Sequence, residues 1–164
     1  MSDLVEHAKK MFDTLTKIDK SVSTMSEIGK EMESLLLTAV FKGSKNELPI
    51  GKIEVSVEVD RPLRKPSIAP LRCEETKDRL RKISIVCTSR DYSCEIVLTL
   101  SIPSTHTMEY NMYDINLSEL LTLACNTTPE EMDKLVSGMD AKVATIAEDL
   151  SKLKELLTYA RLTT

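Results

Sequence analysis

The chain has no tryptophan and no glutamine, and its 164 residues include only two phenylalanines, four tyrosines, four glycines and two histidines. Each scarcity excludes something. An aromatic share of 4% leaves no interleaved rings on which nucleic-acid bases would stack. So few glycines form no glycine-rich phosphate loop. His7 and His106 have no carboxylate or cysteine at ligand spacing, and the four cysteines (Cys73, Cys87, Cys94 and Cys125) contain no C-x-x-C pair, so no zinc motif and no disulfide framework is read. The longest uncharged stretch, Ile96–Met108, is broken by Pro103 and His106 and falls short of the roughly 18–20 residues of a membrane span. The opening Met1-Ser2-Asp3-Leu4-Val5-Glu6 lacks the basic flank and apolar segment of a secretory signal. Neither G-x-S-x-G nor H-E-x-x-H occurs, and no catalytic, cofactor-binding or metal-ligating residue is assigned. These absences read as an intracellular, cytoplasmic protein that is not an enzyme and binds no membrane. The missing glutamine fits a thermophilic origin, which eight methionines and four cysteines oppose, and a motif-poor chain also fits a viral one.

What is present is globular in composition, with 41% apolar and 29% charged residues and a net charge of −4. That suits one domain with a real core. Its strongest pattern is a seven-residue repeat at both ends. Over 1–43 the seam is Leu4, Ala8, Met11, Leu15, Ile18, Val22, Met25, Gly29, Met32, Leu36 and Ala39, with Gly43 placed to end the helix. Over 128–164 it is Met132, Val136, Met139, Val143, Ile146, Leu150, Leu153, Leu157 and Ala160. With about half of all positions apolar or glycine, twenty such positions in a row is roughly a one-in-a-million pattern. A period of 3.5 keeps the seam on one partner when the helices supercoil. Thr128-Pro129-Glu130-Glu131 announces the second helix: an N-cap threonine, proline at the first helical position, and a glutamate closing a capping box.

Between the helices, over 44–127, the period changes to two. Ile53, Val55, Val57 and Val59 alternate with Glu54, Ser56, Glu58 and Asp60; Ile83, Ile85 and Cys87 form a second run; Cys94, Ile96, Leu98, Leu100 and Ile102 form a third. The last two are read as a hairpin with Cys87 and Cys94 facing each other as free buried thiols or, alternatively, as a disulfide. Met108 to Tyr113 adds a weaker edge strand, and Leu117 to Cys125 a short helix opened by Asn116 or Ser118. The fold class is therefore α+β, a small antiparallel sheet of three or four strands with one short helix, flanked by two long heptad-repeat helices. If the helix ends near Lys42 and Pro129 both meet the sheet, the helices fold back as an antiparallel coiled coil, with Gly29 opposite Val143 and Met32 near Met139. Such a pair leaves Val5, Phe12, Ile28 and Leu35 partly exposed, which implies a homodimer or higher oligomer, in the form of a four-helix bundle. The methionines on the seams (Met11, Met25, Met32, Met132 and Met139) are core filling or, alternatively, an adaptable partner groove.

The segment 61–82 carries Arg61, Arg64, Lys65, Arg72, Lys77, Arg79, Arg81 and Lys82 against Glu74, Glu75 and Asp78, a net of +5 in a chain of −4. Pro62, Pro66 and Pro70 keep its first half extended. It is read as a solvated connector, with an acidic protein or nucleic acid as the anionic partners that Arg61, Arg64, Lys65, Arg72, Arg79 and Arg81 would suit. The order helix, β-region, helix is similar to that of prefoldin-type chaperone subunits, which implies an antiparallel terminal coil and a client-holding role. The function expected from the residues is a coiled-coil assembly or adaptor protein that binds itself and other proteins, with a prefoldin-like chaperone and a nucleic-acid-associated protein as alternatives.

Overall fold

The computed structural model describes residues 2–38, 51–88, 93–101 and 104–163. Among the described residues it is an α+β structure of three helices and one four-stranded antiparallel sheet. In chain order the elements are α1 (Ser2–Leu36), β1 (Ile53–Ser67), β2 (Arg72–Cys87), β3 (Cys94–Leu100), β4 (His106–Asn111), α2 (Leu117–Asn126) and α3 (Pro129–Thr163). The strands form a meander, β1-β2-β3-β4. Gly43, Ala39, Val40, Phe41 and Ile102 lie outside the described residues.

Alternation in the sequence becomes two unlike sheet faces. Val55, Ile85, Ile96 and Tyr110 stand in register on the inner face, as do Val57, Ile83, Leu98 and Met108. Ile83, Ile85, Ile96 and Leu98 are fully buried there. The outer face carries Glu54, Val86, Glu95 and Asn111 in one row and Ser56, Ser84, Val97 and Glu109 in the next. Burial and the neighbouring Glu109 raise Glu95 above the ordinary carboxylate range. At the middle of this polar face the Ser84 hydroxyl is buried without a hydrogen-bond partner.

The segment read as a connector is instead the distal part of a long hairpin. β1 and β2 stay paired from Arg61–Leu80 out to Ser67–Arg72, with irregularities on either side of Arg61 and Pro62. Pro62 and Pro66 are tolerated because β1 is an edge strand and needs ladder bonds on one side only. The tip turns at Ala69, whose φ is 62°, and the cis peptide Ala69–Pro70.

Both shorter-range helix signals are present as hydrogen bonds. The Asn116 side chain accepts from the Glu119 amide while Glu119 accepts from the Asn116 amide, opening α2. Thr128 and Glu131 make the same reciprocal pair ahead of α3. α3 then crosses β1 closely, and a Cβ on Gly138 would collide with a Val55 methyl.

The long helices run parallel, not antiparallel. Thr127, just before α3, donates to the Met11 sulfur. Further along, Ser21 donates to the Asp140 carboxylate at 2.7 Å, and further still Lys154 pairs with Glu31. The contacts advance together along both helices, so Met32 is not opposite Met139, nor Gly29 opposite Val143. It is the first half of α1, not its end, that lies beside the start of α3. The roughly 16 residues between Leu36 and Ile53 reach about 50 Å when extended, more than enough to return along half a helix.

The cysteines also depart from expectation. Cys73 bridges to Cys125 and Cys87 to Cys94, and no cysteine is free. Cys87 and Cys94 are directly paired across β2 and β3. Cys73 on β2 ties the hairpin arm to α2 across 52 residues, a pairing that no sequence spacing announces.

Candidate interaction surfaces

Where α2 meets α3, polar groups clamp the helices onto β1. Asn126, 1% exposed, donates to the carbonyls of Arg64 and Thr122 and accepts from the Arg64 amide. Arg61 sends both guanidinium arms to the Glu131 carboxylate at 2.6 Å and also donates to the Asn126 carbonyl. Burial pushes Glu131 upward, but the Arg61 hydrogen bond, the Thr128 amide and the Arg61 charge outweigh it and hold Glu131 below its ordinary value.

The other candidate cations are brought onto one hairpin but largely paired within it. Arg64 faces Glu75 at 3.7 Å and Arg72 faces Glu74 at 2.9 Å. Arg79 and Arg81 converge on Asp60, whose carboxyl is held below its ordinary value chiefly by the Arg79 hydrogen bond. Lys82 reaches Glu54 at 3.5 Å. Both guanidinium arms of Arg61 are engaged by Glu131.

The residues of the seven-residue sequence repeat show a gradient of cover along the two helices. Leu4, Ala8, Met11, Ile18, Val22, Met25, Met132 and Met139 are buried, which makes four of the five seam methionines core. Leu15 and Val136 are half-buried in the same stretch. Past Gly29 on α1 and Met139 on α3, Leu150 is the only described apolar residue that is buried; Met32, Leu36, Val143, Ile146, Leu153 and Leu157 are half-buried. Leu37, Leu156, Tyr159 and Leu162 are exposed by 64–81% around the far end.

A second apolar surface lies at the other end of α1. Val5, Ala8 and Phe12 on α1, Leu117, Leu120 and Leu121 on α2, and Ile68 and Leu71 at the hairpin tip line a hollow of about 690 Å³. It adjoins another of about 440 Å³ that shares Phe12, Leu117 and Leu120 and extends to Leu15, Asp19, Met112, Tyr113 and Ile115. Phe12 is 60% exposed, Leu117 71% and Ile68 81%. Only its α1 side was visible beforehand, as off-seam Val5 and Phe12; the rest comes from parts of the chain with no local signal connecting them.

A smaller hollow of about 220 Å³ at the start of α3 is lined by His7, Lys10, Lys17, Thr128 and Asp133 among others. His106 bonds the Ser104 carbonyl at 2.6 Å. Among the described residues no group of three or more histidine, cysteine or acidic side chains is placed to hold a metal ion. No described helix is long and apolar enough to cross a membrane. No protein-family model, curated protein or solved structure matches the chain.

Proposed function

We propose that this is a non-enzymatic assembly and adaptor protein, acting through oligomerisation and protein binding, with the distal halves of α1 and α3 as its self-association surface. The observation that carries the reading is the half-exposed seam past Gly29 and Met139, flanked by exposed Leu156, Tyr159 and Leu162. Two helices alone cover one side of each apolar strip, and a second copy covers the other, making a four-helix bundle from two supercoiled pairs. The size of the surface sets the strength. About 10 Å of α1 past Gly29 and about 36 Å of α3 past Met139, each helix about 10 Å across, give a footprint on the order of 500 Å², below the roughly 800 Å² per partner of a standard interface. The dimer is therefore weak and dissociates on dilution.

Light scattering of the full chain across a concentration series tests this. The mass should rise from 18.4 kDa toward twice that value, and Leu156→Lys/Leu162→Lys should hold it at 18.4 kDa. A monomer throughout the series contradicts the reading. The prefoldin likeness draws no support from a parallel pair. A nucleic-acid role through Arg64, Lys65 and Arg72 competes with the ion pairs of Arg64 to Glu75 and of Arg72 to Glu74, and it would show as binding that weakens steeply with salt. The two disulfides suit an oxidising compartment, or the cytoplasm of a hyperthermophile, where such bridges persist.

A further inference from the structure

We infer that the trough between α1 and α2 is the docking site for a cationic amphipathic helix of a partner protein. Its α1 wall runs from Val5 to Asp19, about 21 Å at helical rise, which is the length of a four-turn helix. Its two hollows lie side by side and share Phe12, Leu117 and Leu120, so the occupant is elongated. An extended strand is excluded by the walls: a strand docks by bonding free backbone groups, and helices bond theirs internally. A helix needs only apolar rows to interlock with, and α1 and α2 offer them on either side of Phe12 and Leu117. An uncovered surface of this kind on a folded domain marks a binding site.

The charges lining the trough select the partner. Asp13 and Asp19 line it on α1, and Asp19 lies close enough to Tyr113 to add to the burial that raises that phenol. Lys9 is the one cation in the described lining, and it is paired with Glu6 at 3.2 Å. The rim is therefore net acidic and calls for lysine or arginine flanking the incoming apolar stripe. A second copy would set acid against acid across a two-fold axis, which disfavours self-pairing here. The trough is separate from the distal ends of α1 and α3, so this inference and the self-association reading stand or fall independently.

The test uses two synthetic four-turn helices with the same leucine stripe, one flanked by lysine and one by glutamate, titrated against the full chain by fluorescence anisotropy. The lysine probe should saturate at one per chain and bind about tenfold more tightly than the glutamate probe, the size of two rim ion pairs. Phe12→Glu should abolish binding, and Leu117→Lys should do the same if the first variant misfolds. Asp13→Lys/Asp19→Lys should invert the preference. The inference is overturned if neither probe binds, if a folded Phe12→Glu or Leu117→Lys chain binds undiminished, or if the charge swap leaves the order unchanged. Phe12-dependent partition onto anionic lipid vesicles in place of the probe also overturns it.

Discussion

The same two helices pass through two environments. Up to Met25 and Met139 they are backed by α2 and the sheet, and the repeat disappears into a core that includes Leu135, Ile85 and Ile96. Past Gly29 and Met139 the same repeat yields, among the described residues, mostly half-buried side chains, with Leu156 beside it exposed. The pattern of apolar residues is alike in both halves, while the cover is not. A heptad strip shows where apolar surface collects on a helix; what covers it depends on elements elsewhere in the chain.

That contrast can be broken from the covered side first. Cys73→Ala/Cys125→Ala frees the hairpin arm from α2 and should cost about 4 kcal/mol on loop-closure grounds, read as a lower urea midpoint. A double mutant as stable as the parent would show the bridge to be absent or idle. Thiol alkylation supplies the companion reading: no adduct before reduction and four afterwards. Next in size is Gly138→Ala. Helix propensity favours alanine by about 1 kcal/mol, but the new methyl meets Val55 and forces α3 off β1, for a net loss of about 1–2 kcal/mol.

Arg61→Met addresses the clamp between the covered helices and the hairpin. It leaves the largely buried Glu131 carboxylate without its cation and should cost about 2 kcal/mol at neutral pH, less than a fully buried pair because Arg61 is partly solvated. The pH dependence follows from the depressed Glu131 value. Its contribution is present above the ordinary carboxylate pKa of about 4.3 and is lost as pH falls through the lower folded value. The parent should therefore lose stability on acidification by more than Arg61→Met does, and parallel acid profiles would remove the clamp from the account. The smallest effect on folding is on the uncovered side. Leu156→Lys/Leu162→Lys should change monomer stability by no more than about 0.5 kcal/mol, because both side chains already face solvent, yet abolish self-association.

Much of the local structure is legible in the residues. Thr128, Pro129 and Glu131 mark the start of α3 and Asn116 with Glu119 marks α2, because capping is decided within four residues. Alternation likewise places Ile53 through Val59 and Cys94 through Leu100 in strands. What escapes is set by distance. Pro62 and Pro66 argue against a strand unless that strand is known to be an edge, which only the finished sheet order reveals. The direction of α3 relative to α1 depends on a connection whose length permits either answer. Cys73 with Cys125, and Phe12 with Ile68 and Leu117, meet only through tertiary packing.

The most direct measurement is amide hydrogen exchange of the full chain at protein concentrations below and above association. Exchange reports local cover element by element, so it reads both halves of each helix in one experiment. Amides of α1 beyond Gly29 and of α3 beyond Met139 should gain protection as concentration rises, while those before Met25 and Met139 stay constant. Distal protection that is independent of concentration would contradict self-association through this pair of helices.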